Sequence, residues 1–184
     1  NEQGDNARAL DPDRLVTYLT ETQREVFEEI IIAAIVDKQR AHRFFFLDGP
    51  GGTGKTYLYN ALITHLNLQN NAILSFATTG IAAELLFGGR TIHSGMKLPV
   101  PILESSTSRM RIPSESSEKL RLAHLLIIDE ASMLFSNDLR IIDLLLKEIM
   151  NSNRPFGDKV LLLGRDFRQT TREIRRGSNA AVIE

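Results

Sequence analysis

The sequence predicts an α/β fold built on a parallel sheet, from three observations. Four short runs, Arg43–Asp48, Ala72–Ala77, Leu125–Asp129 and Lys159–Leu163, are apolar almost throughout, as strands covered on both faces are. Segments with the apolar period of helices separate them. The first run empties into a glycine-rich turn that a helical pattern follows.

The elements follow in order. Asn1–Asp13 is polar and reads as frayed, and residues 1–19 as a flexible lead. Thr20 opens a helix to about Lys38, with Val26, Phe27, Ile30, Ile31, Ala34 and Ile35 inward. Arg43–Asp48 is a strand ended by Gly49-Pro50, and Lys55–Leu66 a helix. Ala72–Ala77 is the second strand, and Gly80–Phe87 a short helix. Leu125–Asp129 is the third strand. Asp138–Met150 is a helix with Leu139, Ile142, Leu145, Leu146 and Ile149 inward, and Lys159–Leu163 is the fourth strand. Pro99–Glu118, with six serines and three prolines, is too polar for core and too long for a tight connection. It reads as a disordered loop or a small functional insertion.

The 184 residues fit one domain with a small insertion. A net charge of -1 exerts no general pull on nucleic acid, so any such binding rests on a local patch. The absence of cysteine excludes disulfides, a thiol nucleophile and cysteine-ligated zinc. The longest apolar run, Ile30–Val36, is too short to cross a bilayer, and no secretory segment opens the sequence. The expectation is an intracellular protein without a membrane partner, nuclear or mitochondrial if its source is eukaryotic.

The turn GPGGTGKT comprises Gly49, Pro50, Gly51, Gly52, Thr53, Gly54, Lys55 and Thr56, and matches the phosphate-loop pattern with a strand before it and a helix after. Its glycines let backbone N–H groups turn toward phosphate oxygens at a helix N-terminus. Lys55 is placed to reach the β- and γ-phosphates, and Thr56 to ligate Mg²⁺. A glycine-rich turn that binds nothing could carry the same letters; the flanks argue against it. The third strand ends LIIDEAS, delivering Asp129 to hold the Mg²⁺ through water and Glu130 as the base for an attacking water. Acidic residues also close strands as plain turn formers, but in this order with the loop they point to an NTPase.

LLIIDEASM extends the acidic motif, and four further segments accompany it and the glycine turn: LTETQREVF, ATTGIAAELLFGGRTIHSGMKLP, RPFGDKVLLLGRDFRQ and a trailing RRGS. Together they resemble the first RecA-like motor domain of Pif1-family DNA helicases, of superfamily 1, over most of the sequence from Leu19 onward. The resemblance implies a RecA-like core of residues 20–98 and 119–184 with a wedge-like insertion at 99–118. It implies ATP with Mg²⁺, single-stranded DNA as partner, and 5′-to-3′ unwinding in DNA repair, recombination and telomere maintenance. It places Gln169 beside the γ-phosphate as a sensor of the intact nucleotide. Two departures fall in that loop: Arg165 stands where the family usually has a second glycine, and Thr171-Arg172-Glu173 where apolar residues are usual.

Gln23 has two readings. The resemblance makes it an adenine reader; the order Thr20-Glu21-Thr22-Gln23 makes it the far end of a helix capping box. On the DNA side the resemblance points to Thr79, Gly80, His93 and Ser94, with Lys97 as a phosphate contact. His93 reads equally as a hydrogen-bonded structural histidine. His42, His65 and His124 show no ligand spacing. Family helicases close the ATP site with a second RecA-like domain, and none follows before Glu184. The chain is therefore expected to be a monomer that binds ATP, hydrolyses it slowly and does not unwind duplexes alone. The rival expectations are a nucleotide- and DNA-binding fragment without turnover, or another phosphate-loop ATPase such as a helicase loader.

Overall fold

The computed structural model describes residues 12–37, 42–165 and 181–182. In chain order the elements are helices α1 (Pro12–Thr17) and α2 (Glu21–Ile31), strand β1 (Phe44–Asp48), helix α3 (Lys55–Leu68), strand β2 (Ile73–Ala77), helix α4 (Gly80–Leu85), strand β3 (Arg90–Thr91), helices α5 (Ile92–Gly95) and α6 (Glu115–Leu122), strand β4 (Leu125–Asp129), helix α7 (Ser136–Met150), and strands β5 (Val160–Arg165) and β6 (Ala181–Val182). Among the described residues the sheet has six strands in the order β3-β2-β4-β5-β1-β6, and every pairing is parallel. The four strands predicted from the sequence are its centre. The two-residue strands at its edges lack the length to register as an apolar run.

Why the central strands are apolar throughout is visible in where alternate residues go. Leu125 and Ile127 of β4 and Val160 and Leu162 of β5 join a core with Leu15, Phe27, Ile30, Leu58, Leu62 and Leu66. Leu126, Ile128, Leu161 and Leu163 point to the other face, against Ile92, Met96, Leu120, Ile142, Leu145 and Leu146. Each fully buried Leu or Ile side chain contributes about 1.5–3 kcal/mol relative to exposure, so a polar residue on either face of these strands would be costly.

Several elements depart from the sequence reading. Residues 12–19, taken as part of a flexible lead, carry α1, and Leu15 and Leu19 are buried in the first core. The long helix from Thr20 holds its α-helical winding to Ile31 and continues as a wider π-helical turn over Ile32–Val36. In α7 the inward row includes Ile141, while Leu139 is half-buried. Asp138 is buried because its carboxylate accepts the Phe135 N–H at 2.6 Å, closing the open start of that helix.

The serine- and proline-rich insertion is ordered and pinned to the domain. Ser108 Oγ donates to the Met96 carbonyl at 2.7 Å, the Arg109 N–H donates to the Lys97 carbonyl at 2.9 Å, and Arg140 donates to the Ser106 carbonyl at 2.9 Å. Ile102 and Met110 pack on the second core. Its last residues begin α6, which the sequence reading missed because Ser114 and Ser117 look like loop. They form a reciprocal cap instead: Ser114 N–H donates to Ser117 Oγ (2.8 Å) and Ser117 N–H to Ser114 Oγ (3.2 Å). The α6 end is closed by Lys159, buried just before β5. Its ammonium donates to the carbonyls of Arg121 (2.6 Å) and Ala123 (2.7 Å). Burial, aided by Arg121 and Arg43, lowers its pKa to about 8.

Candidate nucleotide site and neighbouring cleft

β1 and α3 are joined by the glycine turn at the carboxyl edge of the sheet, where parallel α/β folds place their ligands. Gly52 (φ 87°) and Gly54 (φ 82°) take left-handed backbone, which residues with a side chain adopt at a cost. Thr53 Oγ1 donates to the Pro50 carbonyl at 2.8 Å and closes the turn. The Lys55 ammonium folds over the loop, donating to the carbonyls of Gly49 and, at 3.2 Å, Pro50.

Parallel pairing brings the acidic residues to the same place. β4 runs beside β5, which runs beside β1, so all three release their last residues at one edge. A cleft of about 370 Å³ opens there, lined by Gly51, Gly52, Gly54, Lys55, Thr56, Asp129, Glu130 and Arg165. The loop and the strand-end pair predicted from the sequence therefore share one wall. Burial raises the Asp129 pKa, against the opposing pull of the Glu130 N–H, the Tyr59 hydroxyl and Lys55. Tyr59, wholly buried on α3, donates to Asp129 Oδ1 at 3.2 Å, and its own pKa is raised by burial and by that carboxylate. Gly164 makes the pair possible: a methyl group there would stand 2.7 Å from Asp129 Oδ1 and against Tyr59 Oη. Tyr59 was not singled out in the sequence, where a lone tyrosine in a helix carries no signal of its partner.

Glu130 sits in left-handed backbone (φ 54°, ψ 33°). Its Oε2 accepts from Thr78 Oγ1 at 3.2 Å and Thr79 Oγ1 at 2.9 Å. Arg165, read as a departure in the sensor loop, lines the nucleotide-side cleft itself. Burial pulls the Arg165 guanidinium below its ordinary value and the nearby Asp48 carboxylate pushes back. Gln23 is 5% exposed and realises the capping box: its N–H donates to Thr20 Oγ1 (3.3 Å) and its Oε1 accepts the Thr20 N–H (3.1 Å). It also reaches the loop, Nε2 donating to the Thr53 carbonyl at 3.1 Å. Gln169 lies outside the described residues, as do Arg168 and residues 171–173.

A second cleft, of about 360 Å³, lies on the far side of Glu130, with Thr78, Thr79, His93, Val100, Met133 and Phe135 among its walls. It brings together two residues predicted for the DNA side, Thr79 and His93. Gly80 and Ser94 are exposed beside them on α4 and α5, and Lys97 is exposed just beyond, with φ 52°. The exposed apolar side chains Phe135 (79%) and Met133 (59%) were not singled out in the sequence, because only the fold sets them opposite His93.

A glycine cradle and a strand-end Asp-Glu pair on one cleft, at the carboxyl edge of a parallel sheet, define the class: a phosphate-loop NTPase domain with a RecA-like core. Residues 18–184 match the sequence profile of the family described as PIF1-like helicase. The chain belongs to that family. It is 32% identical over 139 residues to the ATP-dependent DNA helicase Pif1 of Psychrobacter, covering 74% of this chain and 21% of that protein. A crystal structure of Bacteroides Pif1 bound to single-stranded DNA is similar with a TM-score of 0.68 and 29% identity, over 85% of this chain and 34% of that one. Bacteroides Pif1 in complex with ADP-AlF3 and single-stranded DNA gives 0.68 and 30%, over 86% and 34%. The chain thus spans a fifth to a third of the length of these relatives. No helix among the described residues is long and apolar enough to cross a membrane.

Proposed function

We propose that this chain is the ATP-binding and DNA-gripping motor module of a 5′-to-3′ DNA helicase. The observation that carries the reading is the cleft shared by the glycine cradle, Lys55 and the Asp129–Glu130 pair. ATP would lie with its phosphates on the amides of Gly51–Thr56, and Lys55 would turn from the loop carbonyls to the β- and γ-phosphates. Thr56 and Asp129 fit Mg²⁺, which binds through one or two protein oxygens together with substrate phosphates and needs no all-protein cage. Bound Mg²⁺ would neutralise charge developing on the phosphates. Glu130 would orient the attacking water and take its proton as the new oxygen–phosphorus bond forms and ADP departs. Gln23 keeps one amide hydrogen and one lone pair beyond its bonds to Thr20 and Thr53, enough to read an adenine edge. Gln169 is proposed as the γ-phosphate sensor.

The second cleft and its rim (Thr79, Gly80, His93, Ser94 and Lys97) would carry single-stranded DNA. Exposed Phe135 and Met133 suit base faces, and the hydroxyl, amide and ammonium groups suit phosphates. Residues 99–118 would be the wedge-like insertion in a RecA-like domain of residues 20–98 and 119–184, acting inside the cell as a monomer.

The test is ATP hydrolysis by the chain with and without oligothymidylate, beside binding of that strand at rising salt. Stimulation by DNA, and affinity that falls with salt and favours the strand over blunt duplex, are expected. Nucleotide and DNA binding with no turnover under any condition would favour the non-hydrolysing reading.

A further inference from the structure

β2 and β4 are neighbouring parallel strands whose last residues, Ala77 and Asp129, stand in register. The residues that follow, Thr78 and Glu130, are therefore delivered side by side, one chain position past each strand. Glu130 lines the nucleotide-side cleft, while Thr78 and Thr79 line the second cleft. The bonds from Thr78 Oγ1 (3.2 Å) and Thr79 Oγ1 (2.9 Å) to Glu130 Oε2 thus run through the wall between the two clefts.

We propose that Thr78 and Thr79 are positioning residues for Glu130, holding its carboxylate toward the second cleft until a nucleic-acid phosphate there competes for their hydroxyl hydrogens. The inference rests on the reading of the two clefts given above. A carboxylate only accepts, and each threonine hydroxyl has a single hydrogen to give. While both point at Oε2, that oxygen is engaged away from a water on the nucleotide side. A phosphate oxygen in the second cleft is a charged acceptor of the same kind, so the hydrogen given to it is withdrawn from Glu130. Thr79 Oγ1 also accepts the Ala82 N–H at 3.3 Å, opening α4, so its position is fixed independently of Glu130. Thr78 has no such second duty among the bonds described, and it is the cleaner residue to change.

The experiment compares Thr78→Val, of equal shape without the hydroxyl, with Thr78→Ser, which keeps it. Two quantities are read in the chain as it stands: hydrolysis of ATP without DNA, and the ratio of affinities for fluorescein-labelled oligothymidylate with and without a non-hydrolysable ATP analogue. Binding at the two clefts is linked reciprocally, so the ratio reports coupling without turnover. In the wild type the ratio is expected to differ from one. Thr78→Val should bring it toward one and raise DNA-free hydrolysis about three- to tenfold, the range one hydrogen bond spans. Thr78→Ser should behave as wild type. A wild-type ratio of one, a Thr78→Val protein with wild-type ratio and rate, or a serine variant that matches the valine variant overturns the proposal. Failure of the wild type to bind the analogue or the oligonucleotide at all overturns the parent reading, and is told apart by those two binding curves alone.

Discussion

Gly164→Ala is the change that most directly probes the site's construction. The added methyl would lie 2.7 Å from Asp129 Oδ1 and 3.0 Å from Tyr59 Cζ, and closer still to Tyr59 Oη. Carbon atoms in contact settle near 3.5–4.0 Å, so something must move. Tyr59 is wholly buried and cannot swing to solvent, and Asp129 is anchored at the end of a central strand. Overpacking of this kind costs about 1–3 kcal/mol. Separating the Tyr59 hydroxyl from Asp129 leaves a buried donor unsatisfied, about 1–3 kcal/mol more. At roughly 2–4 °C per kcal/mol for a chain of this size, Tm should fall by at least about 4 °C. Scanning calorimetry measures the fall, and titration with ATP in Mg²⁺ measures the displacement of Asp129. Tyr59→Phe removes the oxygen nearest the methyl, so the double variant should recover part of the lost stability, a non-additivity expected only of groups in contact. A Gly164→Ala protein with wild-type Tm and ATP affinity, or strictly additive effects with Tyr59→Phe, would refute the reasoning.

Four further outcomes are expected. Lys55→Ala should weaken ATP binding by roughly 10- to 100-fold through loss of a charge-assisted contact, read by calorimetry. Glu130→Gln should keep ATP affinity and lower hydrolysis by roughly 10²–10⁴, the range of general-base contributions, in a phosphate-release assay. Arg165→Gly should weaken ATP binding by up to about tenfold, since one of two cations lining the cleft is lost. Lys159→Met should be destabilised at neutral pH, because two carbonyls lose their donor, and the pH dependence is specific. With its folded pKa lowered from 10.5 to about 8, Lys159 is expelled of its proton on folding in that window. The unfolded chain then binds more protons, so wild-type stability rises with pH between about 8 and 10.5 relative to the methionine variant. Tm measured across that range for both proteins checks it.

The strands, and the residues that come to share the first cleft, were legible because their signals are local. An apolar run, a glycine turn and a DE pair each span a few consecutive residues, and parallel pairing then brings their ends together without further information. α6 was hidden because its cap is built of serines, which favour loops and helix starts alike. α1 was hidden because six residues are too few for a period to show. Gln23 was posed as a choice between a cap and a ligand reader, yet its amide serves the cap and the glycine loop together, a bond spanning 30 positions that no local pattern encodes. Thr78 and Tyr59 were missed for the same reason: each acts on an acidic residue more than 50 positions away. Arg165 was noticed only as an oddity, and its place on the cleft wall follows from β5 lying between β4 and β1.

The two apolar faces of the central strands have a cost in address. A strand with one wet face cannot slide by one residue without burying charge, but β4 and β5 could slip a step and still present leucine or isoleucine to both cores. The apolar letters are nearly interchangeable, so alignment has to be written by the polar letters at the strand ends. At one end Lys159 must find the Arg121 and Ala123 carbonyls. At the other, Asp129 must meet Tyr59 across the space that Gly164 leaves clear. A slipped β5 would miss both, stranding a buried ammonium and driving a side chain into the tyrosine. The carboxylate proposed to hold Mg²⁺ is thereby also a proofreading mark for the sheet, and a chain that folds with its strands misaligned would lose the pairing of Asp129 with Tyr59.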